Sequence, residues 1–117
     1  MPMKNSNTEF CFLFEGIVNN IGINNTLKGF DFDAKDFNAN AAKIALMHSE
    51  LSEALEALRK PGESEHLPGE SQLGEELADV FIRLAHFAYK HDVDLGDLVL
   101  KKMAFNAGRP YMHGKLG

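Results

Sequence analysis

The sequence has 117 residues, 44% of them hydrophobic and 25% charged, which is typical of one globular domain and excludes a largely disordered chain. Its single cysteine, Cys11, excludes an internal disulfide, and we interpret it as a small buried hydrophobic residue. All 17 acidic residues lie in residues 1–97, whereas residues 98–117 carry four basic residues and no acid. The acidic body argues against a nucleic-acid partner, and the short basic tail suits a small, highly charged ligand.

The only candidate for a targeting or membrane segment is the apolar run at residues 10–14. It is far too short to span a bilayer, and Glu15 interrupts it. No small-residue cleavage site follows it. We therefore predict a cytoplasmic protein that has no membrane partner.

Periodicity and helix-breaking residues predict four helices and no strand. The predicted helices span residues 8–24, 38–60, 71–91 and 94–108. We expect the first helix to pack incompletely, because Gly16, Gly22 and several asparagines disfavour a helix. The predicted fold is therefore an all-α, four-helix bundle with antiparallel helices, formed by a single domain over residues 1–117.

Some carboxylates on the second and third helices depart from the pattern of a solvated helix face. On such a face, a charge usually has an opposite charge one turn away, as Glu56 has in Arg59 and Lys60. The exceptions form one E-x-x-E pair and one E-x-x-D pair: Glu50, Glu53, Glu76 and Asp79. Only Asp79 among them has a basic residue one turn away, Arg83.

Both acidic pairs border the apolar stripes through which the two helices must pack. A single E-x-x-E pair usually marks a solvated face, but two pairs on successive helices would converge if the helices pack antiparallel. Burying unpaired carboxylates costs several kcal/mol each, so a cation is expected to offset their charge. Hard oxygen ligands indicate Mg²⁺, with Mn²⁺ as a substitute.

Three segments of the chain, in order, resemble the MazG-like all-α nucleoside triphosphate pyrophosphohydrolases. The first two, HSELSEALEALR at residues 48–59 and EELADV at residues 75–80, match the family's E-x-x-E, spacer and E-x-x-D. The third, KMAFNAGRPYMHGK at residues 102–115, is similar to its closing K-x-x-x-N-x-x-R segment and HGK ending. The resemblance covers residues 28–115.

The resemblance implies a nucleotide diphosphatase that splits a nucleoside triphosphate into a monophosphate and pyrophosphate, in the house-cleaning of nucleotide pools. The carboxylates that it implies for the metal are Glu50, Glu53, Glu76 and Asp79. Of these, Glu53 and Glu50 are the candidate catalytic residues, with Glu53 as base. The residues that it implies for phosphate binding are Lys102, Asn106, Arg109, His113 and Lys115.

The resemblance further implies a base pocket around Phe30 and Phe32. Many family members have a tryptophan after the Gly-Phe, where this chain has Asp31, and the chain has no tryptophan at all. The preferred base is therefore left open. We interpret His86 and His91, on the third helix, as packing or surface residues.

Three alternatives stay open at this point. A phosphoribosyl-ATP pyrophosphohydrolase fits the spacing and the tail less well. A ferritin-like di-metal protein requires Glu-x-x-His pairs within helices, whereas the one such pair here, Glu63 with His66, lies in a Pro/Gly loop. A non-catalytic helical interaction module predicts no stabilisation by a cation.

The third predicted helix is apolar around most of its surface. Its apolar residues between positions 80 and 89 cover more than half of its circumference at about 100° per residue. A soluble monomer rarely exposes such a patch. We therefore predict a homodimer or a homotetramer.

Overall fold

The computed structural model, which describes residues 6–110, contains four α-helices and no strand over that range. The helices are α1 (Ser6–Leu27), α2 (Phe37–Arg59), α3 (Gln72–Lys90) and α4 (Leu95–Ala107). The prediction of an all-α fold with four helices is therefore confirmed, with small shifts at the helix ends. None of the four has the length and hydropathy that a membrane-spanning segment requires.

Side-chain caps define where three of the helices begin. Asp36, Ser71 and Asp94 each accept a hydrogen bond from a backbone N–H in the first turn of α2, α3 and α4. The shortest of these joins the Ser71 hydroxyl to the Gly74 N–H at 2.9 Å. Because a cap of this kind stabilises a helix by about 1 kcal/mol, the sequence determines these starts locally.

Helix α3 is central, with α2 packed on it and α1 packed on another part of its surface, while α4 packs mainly against α1. A Cβ atom at Gly22 would lie 2.2 Å from the Tyr89 ring, so this glycine lets α1 approach α3 closely. Phe14 also meets Phe81 of α3 edge-on, with ring centroids 5.8 Å apart. The glycine that weakens the isolated helix is thus required where the helices cross. Elsewhere α1 packs incompletely, as expected, since apolar side chains such as Leu27, 80% exposed, lie outside the contact.

The contact between α1 and α4 contains a buried carboxyl group. Glu15 Oε1 is buried without a hydrogen-bond partner among the described residues. Burial, and then the neighbouring Asp94 carboxylate, raise the pKa of Glu15, while the Gly96 amide partly offsets them. Cys11, predicted to be buried, is half-buried, and burial raises the pKa of its thiol. The contact between α1 and α4 thus holds Glu15 in an environment that disfavours its negative charge.

Within residues 7–110, the fully buried apolar core consists mostly of small side chains. Its members are Val18, Ala54, Ala57, Ala85 and Ala88. Large apolar side chains, in contrast, stay exposed on all four helices, with Leu27 at 80%, Leu58 at 61% and Met103 at 60%. On α3, Leu77, Ile82 and Leu84 are exposed, whereas α1 and α2 cover the rest of its apolar face. One chain therefore leaves much apolar helix surface without a partner.

Candidate metal centre and adjoining cavity

Three carboxylates meet where α2 packs on α3. Oxygen atoms of Glu50, Glu76 and Asp79 all lie within 4.8 Å of one another. Glu76 is buried, and the other two are half-buried. Three acids at such distances repel one another unless positive charge or protons offset them.

The pKa shifts show how unfavourable this environment is for negative charge. Burial raises the pKa of Glu76, and the charges of Glu53, Glu50 and Asp79 add to it, although Gln72 donates to Glu76 at 2.6 Å. Burial also raises the pKa of Asp79, followed by the charge of Glu50. Oxygen donors of this kind fit a hard divalent cation such as Mg²⁺ or Mn²⁺.

Arg83 supplies part of the missing positive charge. Its Nε and Nη2 atoms both lie 2.9 Å from Oε1 of Glu50, across the α2–α3 contact. The spacing in the sequence pairs Arg83 with Asp79, but its ion pair in the structure is with Glu50, because the two helices pack side by side. Both of these contacts are to the same oxygen.

The structure brings three of the four predicted metal ligands together and leaves the fourth at the margin. Glu53 is exposed and lies outside the group, although its charge still raises the pKa of Glu76. Glu56 is exposed and lies 3.9 Å from Arg59, as expected of an ordinary surface residue. The helix phase inferred from the apolar stripe is therefore correct at Glu56.

The neighbouring Glu75, in the first turn of α3, has a different role: it binds residues of the loop between α2 and α3. It accepts a hydrogen bond from the Ser64 hydroxyl and contacts Nδ1 of His66 at 2.6 Å. The Ser64 and His66 contacts lower the pKa of Glu75, and Glu75 raises the pKa of His66. His66 thus pairs with Glu75 and not with Glu63, which argues against the ferritin-like alternative. Because this Nδ1 meets a carboxylate, it does not serve Ser64 as a base.

A cavity of about 190 Å³ adjoins the acidic cluster and shares Asp79 and Arg83 with it. Phe30 and Phe32, the predicted base-pocket residues, both line it. The remaining lining residues are Asn25, Lys43, Ile82, His86 and Phe87. The structure therefore places an aromatic pocket directly beside the candidate cation site.

Phe32 connects this cavity to α3. Its ring stacks on Phe87 at 6.0 Å and meets His86 edge-on at 5.6 Å, and Lys43 lies 5.3 Å from its centroid. Lys90 of α3 forms a 2.7 Å ion pair with Asp31, in the loop between α1 and α2 that also carries Phe32. The loop that carries both phenylalanines is therefore tied to the helix that carries the acids.

The two histidines predicted on the third helix differ: His86 lies within α3, and His91 directly follows it. Nε2 of His91 lies 2.6 Å from Oδ1 of Asn40, which fits the predicted packing role. His86 is only 5% exposed, and its Nε2 is buried without a hydrogen-bond partner among the described residues. Sequence reasoning missed this distinction, although a polar residue in the same helical row as Ile82 and Tyr89 was the available signal.

The predicted phosphate-binding residues lie apart from the acidic cluster in one chain. Lys102 Nζ and the Arg109 guanidinium lie 4.6 and 4.8 Å from the Phe105 ring centroid. Both residues, together with Asn106, are exposed at the end of α4. Because α4 packs mainly against α1, one chain does not bring these residues onto the α2–α3 contact. His113 and Lys115 lie outside the described residues.

No protein-family model matches this chain, and neither a curated protein nor a solved structure matches it. The MazG-like resemblance therefore depends on the three sequence segments and stays a prediction. Chemically, the described site combines oxygen donors for a divalent cation with an aromatic cavity for a flat ligand.

Proposed function

We propose that this protein is a Mg²⁺-dependent nucleoside triphosphate pyrophosphohydrolase, releasing a nucleoside monophosphate and pyrophosphate. One observation carries the proposal: Asp79 belongs both to the cluster of three carboxylates and to the wall of the aromatic cavity. A nucleotide is a ligand with matching parts, since its phosphates bind a divalent cation and its base stacks on aromatic rings.

In this proposal the chain's own residues divide the work. Glu50, Glu76 and Asp79 hold the cation, which supplies charge neutralisation at the phosphate oxygens and a lower pKa for the attacking water. Glu53, exposed one turn from Glu50, accepts the proton of the water that attacks the α-phosphorus. Phe30 and Phe32 hold the base. Pyrophosphate leaves, and no covalent intermediate on the protein is needed.

The proposal includes antiparallel packing and assembly into a homodimer or homotetramer. Asn40 pairs with His91 and Glu50 with Arg83, so α3 numbers fall as α2 numbers rise, which supports antiparallel packing. The exposed apolar residues on α4 include Leu98, Met103 and Phe105. Docking this helix on a second copy would cover them and would carry Lys102, Asn106 and Arg109 toward the partner's phosphates.

The decisive assay offers a panel of ribo- and deoxyribonucleoside triphosphates with Mg²⁺, with Mn²⁺ and with EDTA. We expect equimolar monophosphate and pyrophosphate with either metal, and neither product in EDTA. Release of inorganic phosphate instead, or no product from any member of the panel, would contradict the proposal. Adding phosphoribosyl-ATP to the panel separates the alternative activity within the same superfamily.

A helical interaction module without catalysis is the second candidate, favoured by the exposed apolar surface. Thermal melts in Mg²⁺ and in EDTA separate the two. At tenfold excess over its Kd, a cation that binds only the folded state adds about 1.4 kcal/mol of stability, which raises the Tm by several degrees. An interaction module predicts identical melts. The cytoplasmic, house-cleaning role is part of the first proposal only.

A further inference from the structure

His86 packs edge-on against Phe32, but the described residues do not satisfy all of its hydrogen-bonding groups. It is nine-tenths buried, and Nε2 lacks a hydrogen-bond partner among residues 6–110. A buried polar atom left unpaired is destabilising, and most such atoms in proteins are satisfied by a neighbour, a water or a ligand. Since His86 lines the aromatic cavity, a ligand in that cavity is a suitable partner.

Besides Asp79 and Arg83, two further polar side chains line the same space. Lys43 of α2 carries only donors, and the Asn25 amide offers donors and an acceptor. Burial lowers the pKa of His86, and the charge of Lys43 lowers it further, which favours a neutral imidazole with one N–H and one lone pair. The cavity thus joins phenylalanine rings to a small set of hydrogen-bonding groups, which is the usual composition of a specific ligand site.

The size of the cavity restricts the ligand. An engineered protein cavity of about 150 Å³ holds a benzene molecule. The cavity here, at about 190 Å³, therefore accommodates one six-membered ring with its substituents. A single six-membered ring matches this volume more closely than a fused two-ring base does.

We propose that this cavity selects nucleotides with a pyrimidine base, and that His86 and Lys43 are its specificity-determining residues. All three common pyrimidine bases present a carbonyl oxygen beside a ring nitrogen. Lys43 donates to that oxygen, and a ring nitrogen of His86 pairs with the base nitrogen as donor or acceptor according to its tautomer. The assignment rests on the proposed function only in taking the ligand to be a nucleotide.

The test uses nucleosides, which lack phosphates, so it is independent of metal and of turnover. Backbone amide shifts of the full chain in EDTA are followed during titration with uridine, cytidine and inosine. Inosine presents the same carbonyl and N–H edge on a two-ring base. We expect saturable shifts around Ala85 and Phe87 with both pyrimidines, and about tenfold weaker binding of inosine, because a second ring overfills the space.

The variant His86→Phe retains a ring and removes both nitrogens. We expect it to bind uridine about fivefold more weakly, as the loss of one hydrogen bond predicts. The matched control is His48→Phe, at an exposed position of α2, which should bind as the wild type does. If His86→Phe fails to fold, Lys43→Met removes the other donor and keeps the aliphatic stem, with the same expected loss.

Several outcomes overturn the inference: no shifts up to the solubility limit of uridine, inosine bound as tightly as uridine, or unchanged affinity in a folded His86→Phe or Lys43→Met protein. Failure of the proposed function gives a different result. Pyrimidine nucleosides would then bind as expected, while the triphosphate panel yields no pyrophosphate.

Discussion

The α2–α3 contact and the end of α4 hold the two sets of charged residues proposed to act on one ligand, and they differ in how far one chain completes them. Between α2 and α3, three acids converge and Arg83 already pairs with one of them. At the end of α4, Lys102 and Arg109 lie over one exposed phenylalanine, far along a helix that packs mainly on α1.

The two sets of charged residues therefore form by different means. We call the acids between α2 and α3 the acidic half of the proposed site, and the basic residues at the end of α4 its basic half. The acidic half needs only two helices that are neighbours in sequence. The basic half sits among exposed apolar residues such as Met103 and Phe105, the surface that a second copy would cover. In the proposed function, metal binding would therefore need only a single chain, whereas phosphate binding would require assembly.

The largest expected effect comes from removing a buried acid. Glu76→Gln should lower kcat by at least 100-fold, because changes around a metal site that spare the ligands themselves already cost 10- to 100-fold. Its matched control is Glu56→Gln, an exposed residue paired with Arg59, which should keep wild-type kcat. Steady-state pyrophosphate release measures both, and circular dichroism checks that each variant is folded. Equal losses in the two variants would place the acidic half elsewhere.

Subunit mixing tests whether the two halves come from different chains. Lys102→Ala and Glu76→Gln should each be inactive alone. Mixing equal amounts after unfolding and refolding should restore about a quarter of wild-type activity, because half of the dimers would be mixed and each would hold one intact site. Light scattering on the same samples reports the mass. No recovery, in samples that are dimers or larger, would place both halves in one chain.

The next largest expected effect is on stability, at the contact between α1 and α3. Gly22→Ala should lower the free energy of unfolding by about 1–3 kcal/mol, because the new methyl group collides with Tyr89. Gly16→Ala is the matched control, since a Cβ there meets nothing within 4 Å. It should raise stability by up to about 1 kcal/mol through helix propensity. Urea unfolding measures both, and equal effects would contradict the close helix crossing.

The smallest expected effect is on the pH dependence of stability at the contact between α1 and α4. There Glu15 lies beside the carboxylate of Asp94, whereas Glu50 lies beside Arg83. Because the folded pKa of Glu15 is raised, its contribution to stability is present below the unfolded pKa of about 4.3 and is lost as pH rises through the folded value. Glu15→Gln should therefore flatten the decline in stability above that window. The exposed Glu9→Gln should leave the decline unchanged. Urea midpoints from about pH 4 to pH 7 measure it, and equal slopes in both variants would exclude this role for Glu15.

Local signals in the sequence predict most of the fold. The caps Asp36, Ser71 and Asp94 and the apolar stripes are short-range features, so four helices follow with errors only at their ends. The close contact between α1 and α3 cannot be predicted in this way, because the role of Gly22 depends on Tyr89, a residue far away in the sequence. A propensity scale counts that glycine only as a weakness.

The candidate site is likewise only partly predictable from the sequence. Three of the four acids singled out from the sequence meet in the structure, and two of these three, Glu50 and Glu76, lack a basic residue one turn away. The spacing on its own helix pairs Arg83 with Asp79, and only the fold shows its contact with Glu50 and the place of the buried His86 at the cavity. Lys43 and Asn25 carry no sequence signal, since only the fold brings them to one cavity.

The loop at residues 61–71 bears on how the chain folds. Its ends are tied by hydrogen bonds between the Gln72 N–H and the Gly62 carbonyl and between the Ser64 N–H and the Glu70 carbonyl. Such a short closure makes α2 and α3 a hairpin of local contacts, and local contacts form early because little chain entropy is lost. We expect this hairpin to form first, with α1 docking later through Gly22. The carboxylates would then come together before most of the core exists, so their repulsion opposes the earliest step. If the proposed cation binds them there, it should speed refolding and leave the rate of unfolding nearly unchanged.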